Sequence, residues 1–94
     1  MVTYYMFGKY SQQSVGQISA DRTQKVKALI EKLGGKVKSM HATLGCVDLV
    51  FLVELPGGKE AMKASIALAK STGIAFTTAE AVTIEEFDKL AKEV

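Results

Sequence analysis

The 94-residue chain has no tryptophan and no asparagine, and it holds one cysteine, one proline, one histidine and one arginine. A lone cysteine, Cys46, excludes an internal disulfide and any Cys-rich zinc site. Together with a lone histidine, His41, it cannot make a dedicated transition-metal site within one chain. Long apolar runs are also missing. The longest is Leu49 to Val53, far short of the ~20 residues that a membrane helix needs. No cationic start followed by a long apolar stretch marks a secretory signal, so the expected compartment is the cytoplasm, with no membrane partner. Charge of one sign is scarce: Lys plus Arg 12 against Asp plus Glu 10 leaves +2, too little to grip a nucleic-acid backbone. Gly57-Gly58-Lys59 is too short for a phosphate-binding loop, and no Gly-rich dinucleotide fingerprint exists. No cofactor is expected.

What is present suits one folded domain over residues 1–94. The chain is 48% apolar, which excludes intrinsic disorder, and it has no repeats, low-complexity tract or linker. Val2 to Tyr10 is rich in aromatic and β-branched residues and reads as a strand. A polar stretch, Ser11 to Ala20, leads to a helix ending near Leu33, with Val26, Leu29, Ile30 and Leu33 as one apolar stripe. Asp21 suits its first turn, and Gly34-Gly35 suits its end. Two strands follow, Lys36 to Leu44 and Asp48 to Leu55, around a Gly45-Cys46 turn that suits a two-residue type II′ hairpin. Pro56-Gly57-Gly58 frees the chain to start a second helix near Lys59, with Met62, Ile66 and Ala69 as its inner stripe and Thr72-Gly73 as its stop. Ile74 to Val82 reads as a fourth strand. Thr83 and Glu86 form the two halves of a capping box, and Ile84, Phe87, Leu90, Ala91 and Val94 give the last helix an apolar face.

The order strand, helix, strand, strand, helix, strand predicts an α+β, ferredoxin-like βαββαβ fold with an extra C-terminal helix. The small size and the tight hairpin argue against a three-layer α/β alternative. Leu49 to Val53 is apolar on both faces, which suits a strand covered from both sides. Two helices cover only one face of such a sheet. The expected partner is therefore a second copy of the chain, packed sheet to sheet in a homodimer.

Tyr4 with Lys9-Tyr10-Ser11, Glu31 through Val37, Thr43-Leu44-Gly45 then Asp48, and Thr83 with Glu85-Glu86-Phe87 together resemble the GYD domain family. The match spans nearly the whole chain and keeps its spacing. The resemblance implies a ferredoxin-like domain that pairs into a dimeric α+β barrel, and it implies no activity. In the family's name motif, glycine, any residue, tyrosine and aspartate, this chain reads Gly45, Cys46, Val47, Asp48. Any role of the family's tyrosine does not transfer.

Hairpin register gives the sharpest local inference. With Gly45-Cys46 as the turn, Thr43 pairs with Asp48 and His41 with Val50, and a four-residue loop keeps the same register. One face then carries Val37, Ser39, His41, Thr43, Asp48, Val50, Leu52 and Glu54, and the other carries Met40, Ala42, Leu44, Val47, Leu49, Phe51, Val53 and Leu55. The mixed first face suits a ligand cleft or a wet interface. His41 is the natural proton carrier near neutral pH. Asp48 lies diagonally across at about 7 Å between backbone positions, where a carboxylate would orient the ring and raise its pKa. The plainer reading makes Asp48 a turn residue and His41 a partly buried interface residue. The candidate ligand-binding residues are His41, Thr43 and Asp48, with Tyr4 ranked below them because its face is not set by this hairpin.

Other residues read more simply. Cys46 has no flanking cation to activate it and reads as an unreactive thiol. Arg22 reads as a solvated helix-face charge, with an anion site as the alternative. Tyr4, Tyr5, Phe7 and Tyr10 crowd the first strand, yet the third strand lacks the basic and aromatic run of an RNA-recognition sheet, so no nucleic acid is expected. Without asparagine, the Arg–Asn pair of acylphosphatase-type domains is impossible. Two functions from different classes survive. One is a cleft on the sheet face that binds a small hydrophobic or aromatic molecule, with any enzymatic chemistry cofactor-independent. The other is a non-catalytic homodimeric module for a metabolite or protein partner.

Overall fold

The computed structural model describes residues 1–94. The elements are β1 (Val2–Lys9), α1 (Gln12–Val15), α2 (Ala20–Lys32), β2 (Lys36–Ala42), β3 (Leu49–Leu55), α3 (Gly58–Thr72), β4 (Ala75–Ala81) and α4 (Ile84–Lys92). The four strands form one sheet in the order β2-β3-β1-β4, every neighbouring pair antiparallel. The chain is thus an α+β protein with four helices. None of them is long and apolar enough to cross a membrane.

Burial divides the sheet into two faces. Tyr4, Met6, Phe51, Val53 and Leu55 point toward α2 and α3 and join Val26, Ile30, Ala61, Ala64 and Leu68 in one core. Register places Tyr5, Phe7, Val50 and Leu52 on the opposite face, which no helix covers. There the Tyr5 and Phe7 rings stack with centroids 6.1 Å apart. Gly8 makes room on the core face. A Cβ at that position would lie 2.7 Å from the Phe76 ring, and that ring crosses to meet Phe51 at 5.3 Å.

The α2 stripe faces the sheet, with Val26 and Ile30 buried and Leu29 and Leu33 half-buried. Its N-terminus is capped by Ser19, whose hydroxyl accepts the Arg22 N–H at 3.1 Å. The polar stretch before it holds α1, in which Ser11 and Ser14 each accept the other's backbone N–H. That reciprocal box makes one helical turn in a segment without apolar periodicity.

The inner face of α3 differs from the expected one. Ala61, Ala64, Leu68 and Thr72 are buried, whereas Met62 is 70% and Ile66 58% exposed. Alanines let the helix approach a sheet face already filled by Tyr4 and Phe76, and the bulkier stripe beside them is turned outward. Periodicity cannot separate two adjacent stripes when small residues occupy one of them.

The β2 register also departs from strict alternation. A bulge between Val37 and Ser39 pairs Val37 with Val53 and Met40 with Phe51, so both face the helices. Val37 therefore leaves the face on which Ser39 and His41 lie. Beyond Ala42 the ladder closes at Thr43, whose N–H donates to the Asp48 carbonyl at 2.9 Å. Four residues, Leu44 to Val47, then make the connection in place of a two-residue turn. Leu44 stands fully exposed rather than under the helices.

Candidate functional site

The sequence-predicted site residues are only partly brought together. His41 pairs with Val50 on the open side of the sheet and is exposed. Thr43 turns its hydroxyl inward to the loop, donating to the Val47 carbonyl at 2.7 Å. Asp48 faces the end of β1: its carboxylate accepts the Tyr10 N–H at 2.9 Å, and its own N–H donates to the Gly8 carbonyl. The aspartate therefore splices the hairpin to β1 instead of orienting His41. Tyr4 belongs to the other face, buried at 5% exposure in the core. Burial pushes its phenol above the ordinary range, and the carboxylates of Glu80 and then Glu60 add to the shift.

A cavity of about 280 Å³ opens on the helix side, where the start of α2 stands over the ends of β2 and β3. Its apolar floor includes Val26, Met40, Leu49, Phe51 and Ile74, while Tyr10, Ser19, Arg22 and Thr23 supply polar groups. His41, whose register position is on the other face, meets the cavity at the β2 edge. Arg22 is the organising side chain. Its guanidinium lies 5.4 Å from the centroid of the Tyr10 ring, a cation–π arrangement, and Nη1 donates to the Ser14 carbonyl at 2.6 Å. One side of the planar group is thus held by α1 and the ring, which leaves further N–H donors of its five for a ligand. Asp48 supports the site from behind, since its bond to the Tyr10 N–H anchors the residue that carries the ring.

A half-buried guanidinium above an apolar floor can hold a small anion whose body is hydrophobic. From the sequence, Arg22 ranks as a solvated helix-face charge first and an anion site second, and the cavity beneath it is not visible there. One signal was there: Arg22 is the sole arginine among the chain's cations, one turn inside a serine-capped helix.

A second, shallower cavity of about 310 Å³ lies between α3 and β4. It exposes part of Tyr4 beside Ala61, Met62, Ser65, Thr78 and Glu80.

Compared with known families, residues 4–91 match the model of the GYD domain. The chain belongs to the GYD domain family. The structure gives two positions of the name motif a physical role in this GYD domain. Gly45 takes a φ of 114°, which side chains other than glycine's rarely adopt, and Asp48 ties the loop to Tyr10. Val47 stands at the tyrosine position and offers its backbone carbonyl to Thr43. No curated protein matches the sequence. In fold, this GYD domain is similar to the crystal structure of the Mycobacterium tuberculosis leucine response regulatory protein, LrpA, with a TM-score of 0.58 and 10% identity. The similarity covers 87% of this chain and 51% of that one, so the GYD domain spans about half of that protein's length. It is a likeness of fold.

Proposed function

We propose that this GYD domain is a homodimeric, ferredoxin-like module that binds a small hydrophobic or aromatic molecule bearing an acidic group. The observation that carries the reading is the cavity of about 280 Å³, with Arg22 and Tyr10 set over an apolar floor. Its volume is close to the ~300 Å³ at which ligand pockets begin, which suits a compound of a single ring or a branched aliphatic chain. Relative to the cleft expected on the open sheet face, the proposed site lies on the helix side, with His41 the one expected residue among its lining. The uncovered apolar face supports the homodimer, in which a second copy would complete a dimeric α+β barrel. Tyr5, Phe7, Val50 and Leu52 together form the kind of contiguous patch that monomers rarely leave in water.

Titration with phenylacetate and isovalerate, each beside its neutral amide, tests the ligand class. Backbone NMR shifts around Arg22, Tyr10 and Met40 are expected with the carboxylates. Charge-assisted hydrogen bonds of ~1.5–3 kcal/mol correspond to affinity about 10- to 100-fold above the amides. Arg22→Gln should remove that preference. Equal affinity for acid and amide, or shifts confined to the open sheet face, would refute the assignment.

A further inference from the structure

The C-terminal helix is the least satisfied element of the fold. Every residue of α4 is exposed, including the apolar side chains Ile84, Phe87 and Leu90. A nine-residue helix is marginal in water without a surface to pack on. The helix carries three carboxylates, Glu85, Glu86 and Asp88, against two lysines, Lys89 and Lys92, in its last turn.

A matching surface exists elsewhere on the same chain. The outward stripe of α3, Met62, Ile66 and Ala69, is exposed, and the helix carries Lys59, Lys63 and Lys70 against one carboxylate, Glu60. It runs beside the shallow cavity of about 310 Å³ that separates α3 from β4. Two exposed apolar stripes on helices of opposite net charge, one beside a groove, are suited to each other. Yet α4 stands away from α3 in this structure.

The dimensions show how far the arm extends. The chain exposes 6452 Å², against about 5,300 Å² for a folded monomer of this mass, an excess of roughly 1,200 Å². Its radius of gyration is 14.2 Å, where about 12.4 Å is usual for this length. The excess is larger than the ~800 Å² that each partner contributes to a standard interface. A helix held out on a short link, Val82-Thr83, has the geometry that an element exchanged between copies requires.

We infer that α4 of one copy docks in the α3–β4 groove of a second copy, with Phe87 filling the cavity beside Tyr4, and that the second copy returns its own α4 in the same way. The inference rests on the homodimer reading and names the element that is exchanged in it. The carboxylates of α4 then lie along the partner's lysine-lined α3, and the link at Val82-Thr83 is the hinge.

Two full-length chains test it, both carrying Cys46→Ser. One carries Leu90→Cys, and the other carries Ile66→Cys and a longer tag. Co-expressed and oxidised, they should form a disulfide-linked species containing one chain of each kind. Separately, the otherwise unsubstituted Phe87→Ser/Leu90→Ser chain should sediment as a monomer of ~10 kDa at concentrations where the parent is a dimer of ~20 kDa. Both substituted positions lie outside the core, so circular dichroism should still report a folded sheet. If the Leu90–Ile66 link forms only within a doubly substituted single chain, α4 closes on its own groove and the exchange is refuted. If the parent sediments as a dimer and the Phe87→Ser/Leu90→Ser chain does so equally, the homodimer reading survives and the α4 inference fails. A monomeric parent overturns both.

Discussion

The carboxylate of Asp48 accepts the backbone N–H of Tyr10 at 2.9 Å, across 38 positions of sequence. The bond joins the β2–β3 loop to the end of β1, where the ladder has already finished. Asp48 also donates its own N–H to Gly8, so one residue closes both sides of the junction. Replacing it with alanine leaves the part-buried Tyr10 N–H without its partner, a loss of ~1–3 kcal/mol. Asp48→Ala should therefore lower the urea midpoint clearly, while Asp48→Asn, which keeps an acceptor oxygen, should cost less than half as much. Equal midpoints for alanine and wild type would mean that water replaces the carboxylate at no cost.

Gly8 is a close-approach glycine, since an added Cβ would meet the Phe76 ring at 2.7 Å and Ile74 at 3.2 Å. Gly8→Ala forces that ring off Phe51 and disturbs Ile74, which lines the Arg22 cavity. Overpacking of this kind costs about 1–3 kcal/mol. Thermal unfolding should show a lower Tm, and the aromatic NMR signals of Phe51 and Phe76 should move together. A variant that melts like the parent would show that the ring can slide without loss.

Tyr4 gives the fold an alkaline weakness. Its phenol is raised in the folded state by burial and by the nearby Glu80 and Glu60, so the unfolded chain ionises first as pH rises. The stabilisation is fully present below about pH 10, the ordinary phenol value, and is lost as pH climbs from there through the raised folded value. Tyr4→Phe should flatten the fall in denaturation midpoint between about pH 9 and pH 11. An unchanged slope would assign the weakness to other groups.

Thr83 caps α4, its hydroxyl accepting the Glu86 N–H at 3.1 Å. This is the forward half of the expected box. Loss of such a cap costs about 1 kcal/mol of helix stability. Because every residue of α4 is exposed within its own chain, Thr83→Ala should leave the core's stability unchanged in dilute solution. It should lower Tm only at concentrations where the chain is dimeric. A shift of equal size at every concentration would show that α4 is docked within its own chain.

The local features of this GYD domain were legible residue by residue. The α2 stripe, the helix stops at Gly34 and Gly73, the Thr83 cap and the pairing of His41 with Val50 all depend on neighbours within a few positions or on a short hairpin. Periodicity and turn chemistry act over that range. What the tertiary structure decided depends on contacts between distant segments. Tyr4 faces the helices because β1 sets it opposite the core residue Val53 of β3, a pairing that no local pattern specifies. Ala61 and Ala64, not Met62 and Ile66, face the sheet because Tyr4 and Phe76 already fill the space beneath α3. Asp48 turns to Tyr10 rather than His41 because β1 ends beside the hairpin. The cavity under Arg22 exists only where Tyr10, the start of α2, the β2–β3 hairpin and Ile74 meet. Its parts are spread from Tyr10 to Ile74, so only folding brings them to one place.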